Sequence, residues 1–218
     1  MLDVKTFNRF IDKASQSYQQ FCIWFFSNNE FAKHQDEWNE LDLKDTFFST
    51  EEFTKKHGGR YKNFWIYVIA SLQHGWMLGT ARLFDPAYNS RDKGRKNPRL
   101  SLDFILENLD DEEFKISIKK EQVLHEVFLK SIKDHRNNSH AHNDLNYSNK
   151  IIEAGVENLY EWLNGVISKI KVLQPHLKNC KTIDLKYNEK LAQSGVEEIF
   201  EDLLRGKENE FHKSSVKK

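Results

Sequence analysis

Residues 61–84 read YKNFWIYVIASLQHGWMLGTARLF. At 100° per residue, Trp65, Val68, Leu72, Trp76, Gly79 and Leu83 fall on one stripe, with Phe64, Ile69 and Met77 spilling round its sides. A helix that is apolar on more than one face belongs at the centre of a bundle, so this stretch predicts an all-α protein built around it. Gly75 and Gly79, one turn apart, each cost about 1 kcal/mol against alanine in a helix and are expected to let a neighbouring helix approach closely. At the polar end, Arg82 reads as a terminal charge and Asp85 as a helix stop before Pro86, with a role for the two in a site as the alternative.

The flanking sequence repeats the helical period. On the N-terminal side Phe7, Phe10, Ile11, Ala14, Tyr18, Phe21, Cys22 and Phe25 share a face, predicting a first helix to about Phe26. Residues 27–48 are mixed and polar around Trp38 and Leu41 and read as a loop with a short helix. Ser49-Thr50-Glu51-Glu52 has the spacing of a capping box, and Gly58-Gly59 would stop the helix it opens. On the C-terminal side Arg91, Lys93, Arg95, Lys96 and Arg99, opposed only by Asp92, form a basic loop that is either a solvated turn or an edge that tracks phosphates. Ser101 can cap a short helix through Leu102, Ile105, Leu106 and Leu109, and Asp110 or Asp111 opens a longer one carrying Leu124, Val127, Phe128, Ser131 and Ile132. After a turn at 146–148, Ile152, Val156, Leu159, Leu163, Val166, Ile170 and Leu173 make a packing seam that Pro175 ends. A connector holding Cys180 follows. Ser194-Gly195-Val196-Glu197 is expected to cap a last helix with Ile199, Phe200, Leu203 and Leu204, and residues 213–218 to be a disordered tail. The whole is read as one helical domain over residues 1–212.

Composition narrows the function. With 33 basic and 33 acidic residues in 218, the net field gives no general attraction to nucleic acid, so any RNA contact must be local. Cys22 and Cys180 suit no metal or redox spacing and read as reduced thiols of a cytoplasmic protein. The N-terminus has no apolar core of signal-peptide length, and 64–72 is about half of what a bilayer requires, so no membrane role is expected. Three prolines, nine glycines and no alternating runs again favour helices.

Chemistry concentrates in Asp134-His135-Arg136-Asn137-Asn138-Ser139-His140-Ala141-His142-Asn143-Asp144, which holds three of the nine histidines. On an unbroken helix Arg136 and His142 would stand about 120° apart and ~9 Å along the axis. Asn137, Asn138 and Ser139 can bend or end the helix, or a second copy of the chain can complete the site. A solvated helix end would explain the composition without any site. His140-x-His142-x-Asp144 also copies the start of the H-x-H-x-D-H zinc signature of the metallo-β-lactamase fold, but Leu145 stands where its last histidine is required and the preceding sequence is helical, so no metal is expected.

Arg136-Asn137, three residues, then Ala141-His142-Asn143-Asp144 resembles the R-N-x-x-x-A-H-x-D form of the Arg-x(4 to 6)-His motif of HEPN proteins, particularly the abortive-infection (AbiU-like) branch. Ala81-Arg82-Leu83-Phe84-Asp85-Pro86 is similar to that branch as well, and the resemblance covers about residues 60–175. It implies a HEPN-like helical bundle with extra N- and C-terminal helices, a homodimer with motifs facing across the interface, and a toxin or antiphage endoribonuclease that needs no metal or cofactor. In that reading His142 is general acid or base and Arg136 holds the phosphate oxygens. Asn137, His140 and Asp144 support them. RNA is the substrate, the basic loop a further RNA contact, and an antitoxin protein a further partner. In HEPN toxins paired with a minimal nucleotidyltransferase, a tyrosine that can be nucleotidylated often stands two residues after the histidine. Here that position is Asp144, and the nearest tyrosine is Tyr147. The alternative is a HEPN-fold module that binds a nucleotide or a partner and cleaves nothing.

Overall fold

The computed structural model describes residues 1–34, 60–88, 98–138 and 149–215, and among these every regular element is helical. In chain order they are α1 (Val4–Lys33), α2 (Arg60–Leu83), α3 (Leu102–Glu107), α4 (Glu112–Gln122), α5 (Glu126–Asn138), α6 (Asn149–Leu173) and α7 (Leu185–Ser215), with single 3₁₀ turns at Val123–His125 and Pro175–Leu177. The short helix expected after Ser49 and the turn at 146–148 lie outside the described residues.

Helix α1 starts where Asp3 accepts hydrogen bonds from the Thr6 amide at 2.9 Å and the Thr6 hydroxyl at 2.7 Å. Its predicted stripe is the core: Phe7, Phe10, Ile11, Ala14, Tyr18, Phe21 and Cys22 are all buried. The helix runs to Lys33, past the boundary expected near Phe26. α2 lies antiparallel to it, with Gly75 opposite Gln20 and Gly79 opposite Ser17. A Cβ on Gly79 would stand 2.7 Å from Ser17 Oγ and 3.2 Å from Ser17 Cβ, so the close approach predicted for the glycine pair falls on Gly79. Of the predicted stripe, Trp65, Trp76 and Leu83 are buried and Val68 and Leu72 pack on the clusters; the buried face also takes in Ile69, Gln73, Met77, Thr80 and Ala81, whereas Phe64 is 59% exposed.

Polar groups inside this contact are satisfied as a chain. Ser17 Oγ donates to the Trp76 carbonyl at 3.3 Å, Thr80 Oγ1 lies 3.0 Å from Ser17 Oγ, and Tyr160 Oη lies 3.0 Å from Thr80 Oγ1. Each hydroxyl has one proton, so with Ser17 donating to the carbonyl, Thr80 donates to Ser17 and Tyr160 to Thr80. Burial pushes the Tyr160 phenol up to about 12. The chain ties α1, α2 and α6 together, and Tyr18 packs on Tyr160 at 5.0 Å between ring centroids. Phe21 meets Trp76 edge-on at 5.3 Å.

Two other sequence boundaries move. The helix predicted to open at Asp110 or Asp111 and lead into the motif opens at Asp111 and is interrupted by the turn at Val123–His125. α7 opens at Leu185 behind Asp184, which accepts from the Tyr187 amide at 2.9 Å, so Ser194 and Gly195 lie within the helix instead of capping it. It continues through Ser215, beyond residue 213, where a tail was expected to begin. Trp65, Val196 and Phe200 form a small second cluster that fastens α7 to the start of α2.

Candidate functional site

The segment that leaves α2 is held from three directions. Lys133 of α5 donates to the Phe84 carbonyl at 3.0 Å, Arg99 pairs with Asp85 at 3.3 Å, and the Ala87 amide donates to Asp103 at 3.2 Å. Arg99 also donates its amide to the Ala87 carbonyl at 2.7 Å, and Lys119 of α4 reaches Asp103 at 3.2 Å. Asp85, read from sequence as a helix stop, is 8% exposed and sits in this lattice of bonds. The Ala81–Pro86 segment and the helix that carries the Arg136 motif therefore meet directly, through Phe84 and Lys133.

Arg136 and Asn137 lie in the last turn of α5, three and four residues beyond Lys133, which is about 4.5 to 6 Å further along the axis. α5 is fixed by buried Leu129 and Ile132 and by Phe128, whose ring would stand 2.8 Å from a Cβ placed on Gly155 of α6. The absence of a side chain at Gly155 leaves room for that ring. His140, His142 and Asp144 lie outside the described residues, as do Arg91, Lys93, Arg95, Lys96 and Tyr147. Among the described residues, no three His, Cys, Asp or Glu side chains gather to hold a metal ion.

Beside the α2 exit is a cavity of about 870 Å³ lined by Thr6, Arg9 and Lys13 of α1, Leu78 and Arg82 of α2, and Asp85, Pro98, Arg99, Leu100 and Phe104. Among the described residues, four cationic side chains face it against a single carboxylate, and that carboxylate is paired with Arg99. Of the basic residues flagged in the 91–99 loop, Arg99 is the one described, and it belongs to this cavity. Arg82 sits in the last turn of α2, where the helix dipole favours a cation. Arg9 and Lys13 were not singled out from the sequence. Four residues apart, they lie on one face of α1, an arrangement of like charges that opposes folding by roughly 0.2–0.5 kcal/mol unless an anion answers it.

The cysteines are free and buried, and burial pushes the Cys22 thiol up to about 12, which leaves it inert at neutral pH. No described helix is long and apolar enough to cross a membrane. No family model, curated protein or solved structure matches this chain.

Proposed function

We propose that this protein is a metal-independent endoribonuclease of HEPN type, acting as a toxin or antiphage effector in the cytoplasm. The observation that supports this best is the meeting of the two family-like segments: the helix bearing Arg136 docks on the end of α2 through Lys133 and Phe84, beside a cationic cavity. RNA brings its own nucleophile. The 2′-oxygen attacks the adjacent phosphorus, the bond to the 5′-oxygen breaks, and the products end in a 2′,3′-cyclic phosphate and a 5′-hydroxyl. His142 takes the proton from the 2′-hydroxyl or supplies one to the leaving 5′-oxygen, since imidazole titrates near neutrality. Arg136, always charged and fork-shaped, holds the non-bridging oxygens as negative charge builds on them. Asn137 orients the phosphate or the imidazole, Asp144 fixes the imidazole tautomer, and His140 is a second proton carrier.

The working unit is a homodimer in this reading, and the exposed apolar side chains of Leu124 and Val127, at 83% and 85% exposure, support it. An antitoxin protein is the expected partner that keeps the nuclease silent.

The test uses wild type, Arg136→Ala and His142→Ala with an RNA and with the same RNA carrying one 2′-deoxy sugar at the cut position. Losing the acid or base is expected to slow cleavage by about 10²- to 10⁴-fold, and losing the arginine by about 10²- to 10³-fold, with both variants folded. The deoxy position resists the wild type. Equal cleavage by all three proteins, or of both substrates, would remove the mechanism.

A further inference from the structure

We propose that the cavity between α1 and the end of α2 is a nucleotide-binding site, with the phosphate held by Arg9, Lys13 and Arg82 and the base laid along Leu78, Leu100 and Phe104. Its volume of about 870 Å³ falls in the range of roughly 300–1,000 Å³ typical of small-ligand clefts. The wall is of two kinds. Arg9, Lys13, Arg82 and Arg99 are exposed cations, while Leu78, Leu100 and Phe104 are half-buried and apolar. An anion of phosphate charge uses the first, and a flat heterocycle uses the second through stacking and apolar burial. An inorganic anion would leave the apolar wall unused, and an acidic peptide would not need the phenyl face.

Among the described residues of the lining, Asp85 is the one carboxylate, and it pairs with Arg99. Arg9 and Lys13 are set at like-charge spacing on α1 and line the same space as a third cation, Arg82, on the antiparallel helix. Three elements converge an excess of positive charge on one space, which focuses its field there. The bond from Lys133 to Phe84 ties the motif helix to the α2 exit, whose next residue, Asp85, lines this space. As the holding site of an RNA substrate the cavity rests on the ribonuclease reading; as a nucleotide site it rests on its own lining.

The experiment is calorimetric titration of the full chain with adenosine monophosphate, with a short oligodeoxyadenylate that has no 2′-hydroxyl to react, with inorganic phosphate and with a polyglutamate peptide. Saturable binding is expected for at least one of the two nucleotide probes. Arg9→Glu with Lys13→Glu should weaken it by at least about tenfold, because hydrogen bonds to charged groups are the strong ones. The same charge change at Lys186 and Lys190, exposed on α7 and away from the cavity, should leave it unaltered. The α1 positions are exposed, so folding should survive; Arg82→Gln asks the same question if it does not. Binding of the monophosphate supports a free nucleotide as ligand, and binding of the oligonucleotide alone supports a strand. The proposal is overturned if neither nucleotide binds, if phosphate or polyglutamate binds as tightly, or if the α7 control loses as much as the α1 variant. Because the oligodeoxyadenylate cannot be cleaved by the proposed chemistry, this result does not depend on whether His142 acts.

Discussion

Gly79 shows how a single hydrogen in place of a methyl sets the spacing of the two central helices. A Cβ there would meet Ser17 Cβ at 3.2 Å, an atom tied to the α1 backbone, and would push Ser17 Oγ from the bonds it makes to Trp76 and Thr80. Overpacking of this kind costs about 1–3 kcal/mol, against about 1 kcal/mol gained in helix propensity, so Gly79→Ala is expected to lower stability by up to about 2 kcal/mol. At Gly75 the nearest atom is the flexible end of Gln20 at 3.9 Å, an ordinary contact, and Gly75→Ala should raise stability by up to about 1 kcal/mol. Urea unfolding of the two variants checks the pair, and the same sign for both would mean that helix spacing does not rest on Gly79. The glycine pair was legible from sequence as a site of close approach, but which member carries it depends on the rotation of α2, which the spread of apolar residues around that helix leaves open. The cationic cavity was less legible still. Arg9, Lys13, Arg82 and Arg99 are scattered over more than ninety positions, and the antiparallel course of α1 and α2 is what gathers them.

Elements were readable where their buried face is made of large apolar residues and not where it is made of small or polar ones. The inward positions of α7 are Asn188, Ala192, Val196 and Phe200, and the first two give no apolar signal, so its sequence announces a helix only from Val196 onward. Asn188 is inside because it donates to Ser15 Oγ at 3.0 Å. The last turns of α1 are similar: Ser27 is buried, and Phe31, like Ile23 and Phe26 before it, packs on both apolar clusters, enough to carry the helix to Lys33 through a polar run. Between α4 and α5 the 3₁₀ turn places His125 against Trp162 of α6, with 5.0 Å between ring centroids. Trp162 donates to Glu121 at 3.1 Å, and Lys169 reaches the same carboxylate, holding it below the usual carboxylate range. Burial holds the His125 imidazole below its ordinary value of 6.5. The unfolded chain therefore binds its proton more readily, and the stability this residue contributes is present above the unfolded pKa and lost as pH falls through the lowered folded one. Denaturant midpoints at about pH 7.5 and about pH 5.5 should show a drop that His125→Phe, which keeps a ring on Trp162, makes smaller. An undiminished drop would assign the acid sensitivity to other groups.

For the whole molecule, what matters is the surface left over once the core is closed. Leu124 and Val127 are 83% and 85% exposed, with Val123 and Ile116 at 54% and 53%, all between α4 and the first turn of α5. Leu124 and Val127 lie on the stripe that sequence periodicity assigns to packing, while their neighbours Phe128, Leu129 and Ile132 pack inward. One helix face thus divides between the core of its own chain and open surface just ahead of the Arg136 motif. An isologous pairing through this patch would bury it against its own copy and bring two motif helices together, which is how a composite site would form. The expected outcome is a dimer by light scattering at micromolar concentration, converted to monomer by Leu124→Lys with Val127→Lys. Both positions are solvent-exposed, so the double variant should unfold at the wild-type midpoint, within about 0.5 kcal/mol. Its RNA cleavage should fall with the dimer fraction and recover as protein concentration is raised. A wild type that is monomeric at these concentrations would remove the composite site, and a double variant that dimerises normally would move the interface away from α4 and α5.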